Sequence, residues 1–169
     1  CALPSLAQDS SGTVSGTSAS ARALLDRYCI GCHNDRLKTA DLVLSALDLS
    51  KPAENAAVIE KVIRKLRSAA MPPAGMPRPD KPAYSAVAGY LESAMDRLAA
   101  AVPAMGEVLD LALLRSLELP LARRVVRRWW RRHGSGRRLG LAHVEAVLAL
   151  VRRASGGGGV RVPGGAIVR

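Results

Sequence analysis

The sequence predicts a mostly α-helical chain: a small helical domain, an Arg-rich helical segment behind it, and a short C-terminal β-hairpin. Three observations predict this. Apolar residues recur at helical spacing in several separate stretches. Proline- and glycine-bearing segments at 71–79, 103–106, 134–136 and 155–159 cut those stretches apart. Short Val- and Ile-containing runs flank Pro163-Gly164-Gly165 at the end of the chain, a turn signal between two strands.

The N-terminal residues are read first. The 169-residue chain begins with Cys1 rather than Met and is taken as a fragment or a processed form. Ala2 to Gln8 resembles the end of a secretory signal peptide, with Ser5 and Ala7 at the minus-three and minus-one positions of a cut before Gln8. An ordinary disordered N-terminus fits the same residues, and lipidation of Cys1 is a third option. Residues 8–18, rich in Ser, Gly and Thr, read as a flexible linker.

A short helix is expected from Ser20, with Ala21, Leu24, Leu25 and Tyr28 on one face and Ser18 or Ser20 as its cap. Residues 34–52 read as a loop that drapes Leu37, Leu42, Leu44, Leu47 and Leu49 onto the rest. A second helix is expected over Ala53–Ala69. Its apolar stripe would be Ala57, Val58, Val62, Ile63 and Leu66, and Lys61, Arg64, Lys65 and Arg67 would face solvent. Four prolines between Met71 and Pro79 forbid a helix and stiffen an extended loop. Asp80 caps the next helix, with Pro82 in its first turn. That helix turns Tyr84, Val87, Leu91, Ala94 or Met95, and Leu98 inward and reaches about Ala101. Beyond Gly106, helices are expected over Val108–Leu117, from near Pro120 to Gly134, and over Leu141–Arg153. The last would turn Val144, Val147, Leu148 and Val151 inward.

Charge divides the chain. The net charge of +11 splits into +2 for residues 1–106, which mix Lys and Arg, and +9 for residues 107–169, which have Arg and no Lys. The basic half suits an anionic partner such as nucleic acid or a membrane surface. No run reaches the roughly 18 apolar residues that suggest a membrane helix, so no transmembrane segment is expected. Three cysteines are too few for a disulfide framework.

The chemistry centres on Cys29-Ile30-Gly31-Cys32-His33. One helical turn can bring two thiols to the vinyl groups of a single haem, and the following His can bind its iron. Cys29 and Cys32 are the expected thioether residues and His33 the proximal ligand of one covalent haem c. A haem would also supply core to a chain with two Trp, three Tyr and no Phe. Zinc would need two more ligands, and the other histidines, His133 and His143, lie far off in the basic half. A thioredoxin-like redox pair would sit in an α/β pattern that is missing here. The sixth iron ligand is sought in the proline-braced loop. Met71 is favoured and Met76 is the alternative, against the ordinary reading of either as packing.

Residues 28–91 resemble the planctomycete-type cytochrome c domain. The match runs through Tyr28-Cys29, Cys32-His33-Asn34-Asp35, Leu37-Lys38-Thr39-Ala40, Leu42 to Leu49, Glu60 to Arg67, and Met71 to Asp80. Ile59 stands where the family often has Trp. The resemblance implies a cytochrome c-like haem domain at the front of large exported proteins. Residues 109–169 resemble the C-terminal, tRNA-contacting part of tRNA(Ile)-lysidine synthetase. Leu119 to Arg127, His143-Val144-Glu145 and Val162 to Gly165 carry that match. The ATP-binding Ser-Gly-Gly-x-Asp-Ser loop of that enzyme is absent, so its ligase activity is not implied.

The paired arginines Arg123-Arg124, Arg127-Arg128 and Arg131-Arg132 can neutralise phosphates, and Trp129 or Trp130 can stack on bases. An amphipathic helix with a solvated Arg face and a buried Trp explains the same residues. The sequence therefore predicts a signal remnant and linker (1–18), a cytochrome c-like haem domain (19–104) and a basic helical region ending in a hairpin (107–169). The expected function is one-electron transfer in an exported or periplasmic electron carrier rather than an enzyme. It would serve a redox partner protein or a fused catalytic domain outside this chain. The alternative is a nucleic-acid (tRNA)-binding module, as a chimeric or misjoined fragment of the synthetase, by chance similarity, or as a real fusion.

Overall fold

The computed structural model describes residues 16–102, 109–134 and 137–153, together with the backbone of 160–161 and 167–168. The expected signal remnant, Cys1, most of the linker, Pro103 to Gly106, the 155–159 hinge and the Pro163 turn lie outside the described residues.

Helix α1 spans Ser18–Tyr28. Its cap is Thr17, not Ser18 or Ser20. The Thr17 hydroxyl accepts from the Ser20 amide at 3.1 Å, and the Ser20 hydroxyl accepts from the Thr17 amide at 2.7 Å. Gly16 is required just before the cap, because a Cβ there would collide with the Ala86 carbonyl. Ala21, Leu24 and Leu25 are buried.

The 34–52 loop buries Leu44, Leu47 and Leu49, but Leu37 is 57% exposed, contrary to the sequence reading. Asn34 explains the difference. Its side-chain oxygen accepts from the Arg36 and Leu37 amides, and its nitrogen donates to the Ile30 carbonyl. This Asx turn throws the chain outward at Leu37 before it returns. Arg22 pins the returning strand of chain by donating to the Leu44 and Leu47 carbonyls.

Helix α2 spans Ala56–Arg67, after a short 3-10 turn over Pro52–Asn55. Its buried stripe is Ala56, Ile59, Val62, Ile63 and Leu66, so Ala57 and Val58 are replaced by Ala56 and Ile59. Helix α3 spans Lys81–Ala101, and Asp80 accepts from the Ala83 amide at 2.8 Å as expected. It buries Tyr84, Val87, Ala88, Leu91, Ala94, Met95 and Ala99, while Leu98 is only half-buried.

The basic region forms α4 (Leu111–Ser116), α5 (Leu119–His133) and α6 (Leu141–Arg152). Asp110 caps α4 with its carboxylate. Helix α6 buries the expected four residues, Val144, Val147, Leu148 and Val151. Helix α3 runs centrally, with α1, α2 and α5 against it, α6 on α5 and α4 on α6. Apart from Ala94, the buried residues of all six helices form one cluster.

The predicted β-hairpin is corrected: the fold is helical. Val160 pairs with Val168 and Arg161 with Ile167, two residues a side, and the turn between them lies outside the described residues. Pairing this short cannot form a layer of the fold, because even a complete two-stranded hairpin is marginal in water.

Candidate functional site

Helix α1 delivers the Cys29–His33 motif as one continuing turn. The Cys29 amide donates to the Leu25 carbonyl at 2.9 Å, and the Cys32 and His33 amides donate to the Cys29 carbonyl at 3.1 and 2.9 Å. Cys29 is half-buried and Cys32 is exposed. Burial pushes the Cys29 thiol up to about 11, with Arg22 opposing and Cys32 adding a smaller rise. In haem-free protein at neutral pH, an alkylating reagent is therefore expected to modify Cys32 well before Cys29. Peptide mapping after timed alkylation checks this, and equal rates would contradict the geometry.

His33 is oriented by a bond no sequence rule shows. Its Nδ1 lies 3.0 Å from the Thr39 carbonyl oxygen. A carbonyl only accepts, so Nδ1 is the donor here, and in the neutral imidazole the lone pair lies on Nε2. That is the tautomer of a metal-ligating imidazole, with its second nitrogen held by an outer partner. The turn that presents Thr39 is strained. Lys38, Ala40 and Asp41 have φ of 46°, 56° and 53°, a left-handed region costly for residues with a Cβ.

Met71 sits across from the motif. The Tyr84 hydroxyl donates to the Met71 carbonyl at 2.9 Å and fixes the loop at that residue. Arg78 braces the next residue by donating to the Pro72 carbonyl at 2.6 Å. Met71 is half-buried, whereas Met76 is 52% exposed.

Two adjoining clefts open between these parts. The inner one, about 220 Å³, is walled by Leu25, Leu42, Leu44, Val62 and Leu66 together with Cys29, His33 and Met71. The outer one, about 190 Å³, is walled by Tyr28, Cys32, Pro72 and Met76, again with Cys29, His33 and Met71. Thus Cys29, His33 and Met71 line both clefts, and Cys32 and Met76 line the outer one only. An apolar space bounded by two thiols, an imidazole with a free Nε2 and a thioether fits a haem. Among the described residues no group of three or more His, Cys, Asp or Glu gathers as metal ligands. Sequence reasoning missed the Thr39 carbonyl, six residues beyond His33, and the Tyr84 hydroxyl, which reaches back thirteen residues to the Met71 carbonyl. Asn34 could have been found, since Asn directly after a helical turn signals an Asx turn.

The six arginines of α5 divide. Arg123 pairs with Glu145 of α6. Arg124, 16% exposed, donates to Glu60 of α2 at 2.9 Å and to Asp96 of α3 at 2.6 Å. Burial pulls its pKa down, but its hydrogen bonds to Glu60 and Asp96 more than offset this and hold it above the ordinary value. Arg127 is half-buried, and Arg128, Arg131 and Arg132 are exposed. Trp130 is buried, with its indole N–H donating to the Arg137 carbonyl at 2.7 Å. Trp129 is half-buried, 5.8 Å from the His133 ring. Among the described residues no helix is long and apolar enough to cross a membrane.

No curated protein and no solved structure matches the chain. Two family models do, and a haem cofactor is what the first implies: residues 29–75 match the family described as Planctomycete cytochrome C, and residues 109–169 match the TilS substrate binding domain.

Proposed function

We propose that the chain is an electron carrier that holds a single covalent haem c in the cleft between α1, α2 and the Met71 loop. The observation that carries this reading is that Cys29, His33 and Met71 wall the same space from both clefts. When bound, the haem would supply one-electron exchange at its iron. Cys29 and Cys32 would anchor it, His33 would present Nε2, and Met71 would close the opposite side. The leucines would keep water away and help set the potential. Residues 19–104 are read as the haem-carrying unit, residues 107–169 as the basic unit, and the protein as exported or periplasmic. Its partner would be a redox protein or a fused catalytic domain outside this chain.

Co-expression with periplasmic haem-maturation machinery, followed by a haem-stained denaturing gel, tests this. A band that survives denaturation is expected. Its absence from soluble, folded protein would sink the reading.

A second reading rests on Arg128, Arg131 and Arg132, exposed on the segment that matches the TilS substrate binding domain. This surface would bind RNA phosphates, and affinity for tRNA would then fall steeply with salt. Arg123 and Arg124 contribute less, because their charges are already met by Glu145, Glu60 and Asp96.

A further inference from the structure

Resting on the haem reading, we infer that Lys61, Arg64 and Lys65 are the seat for the cofactor's carboxylates. The sequence reading sent these three side chains to solvent. The structure leaves them exposed, as expected, and places them along the inner cleft beside Val62 and Leu66.

The order of the clefts carries the argument. Cys32 lines only the outer cleft, and the three α2 cations line only the inner one. Cys29, His33 and Met71 line both. A haem bears its vinyl groups on one half of the ring and its propionate carboxylates on the other half. With the vinyl half held at Cys29 and Cys32, the carboxylate half is directed toward the inner cleft, where the cations stand.

The charge pattern agrees. Residues 1–106 are nearly balanced at +2, yet the two clefts are lined by Arg27, Lys61, Arg64 and Lys65 and by no carboxylate. Lys61 is three and four residues from Arg64 and Lys65, so the three crowd one helix flank and repel. Three other cations of this unit are matched, Arg22 with Asp26, Lys51 with Glu54 and Arg67 with Glu92; the unmatched remainder, Arg27 apart, line neither cleft. None of Lys61, Arg64 and Lys65 forms an ion pair among the described residues. Neighbouring acids point elsewhere: Glu60 is held by Arg124, and Asp41 lines neither cleft. A guanidinium and two ammonium groups meeting carboxylates would relieve that repulsion with charge-assisted hydrogen bonds.

The test uses the full chain carrying Cys29→Ser and Cys32→Ser, titrated optically with ferric protoporphyrin and with its dimethyl ester. The free acid is expected to bind about tenfold tighter than the ester. Adding Lys61→Gln, Arg64→Gln and Lys65→Gln should erase that preference and leave ester affinity unchanged. These residues are exposed, so the fold should persist. A preference that survives the triple change, or none to begin with, overturns the inference. A second measurement uses the covalently loaded chain. The carboxyl inflection in midpoint potential against pH should move up by roughly one unit in the triple variant, because lost cations no longer favour the carboxylate. An unmoved inflection also overturns it. Failure of the unaltered chain to take up covalent haem is a different result, and it removes the haem reading itself.

Discussion

Replacing Met71 with alanine in the haem-loaded protein is expected to abolish the sulfur-to-iron absorption band of the oxidised form. The midpoint potential should fall by on the order of 0.1 V or more, within the ~0.8 V span that axial ligands control. Met76→Ala should leave band and potential in place. The asymmetry follows from position. Met71 walls both clefts and its carbonyl is held by the Tyr84 hydroxyl, whereas Met76 is half exposed on the outer side. An iron–thioether bond is weak and survives only where the loop is held still. Covalent haem should remain in both variants, since Cys29 and Cys32 are untouched, so the haem-stained gel serves as the control. A band that persists in Met71→Ala and vanishes in Met76→Ala would reverse the assignment.

The largest stability loss is expected for Trp130→Ala, about 3–5 kcal/mol in urea denaturation. The ring is buried, its N–H is satisfied by the Arg137 carbonyl, and Gly134 packs so close that a Cβ there would meet the indole at 2.5 Å. Removing it leaves a cavity and orphans a carbonyl. The loss should appear in one transition of the whole chain. Helix α5 buries Val125 and Val126 in the same cluster as Leu25 of α1, Ile59 of α2 and Met95 of α3. Two separate transitions, with only one shifted, would show that the basic unit unfolds independently.

Much of the helical layout was legible from local signals. Asp80 caps α3 where expected, and the buried face of α6 is the one its periodicity named. Misreadings came where a local pattern has two solutions. On α2, Ala56 and Ile59 or Ala57 and Val58 can head the apolar stripe, each exchange being a single-residue step of about 100° around the helix. The decision belongs to α3 and α5, which pack against that helix. Leu37 was drawn into the core by its composition, but the Asn34 turn sends it outward. A Pro-Gly-Gly signal suggests a turn, yet nothing in it measures how far pairing extends on either side, and the pairing here is two residues long.

Taken alone, the sequence determined that Cys29, Cys32 and His33 stand at the spacing of a haem-attachment motif. Two thiols and an imidazole at that spacing need only one turn of backbone to converge, and local hydrogen bonds make that turn. It also offered two methionines as candidates for the opposite side. Only the tertiary structure placed Met71 and Met76 differently, the first on both clefts with its carbonyl held by a tyrosine thirteen residues downstream. It likewise turned the Thr39 carbonyl onto His33, set Lys61, Arg64 and Lys65 along the cleft, and committed Arg124 to carboxylates on two other helices. The physical reason is common to the methionines, the three cations and Arg124. Spacing within one turn is a property of the local chain, whereas which side chain meets which partner across a cleft depends on how separate helices bury their apolar faces together.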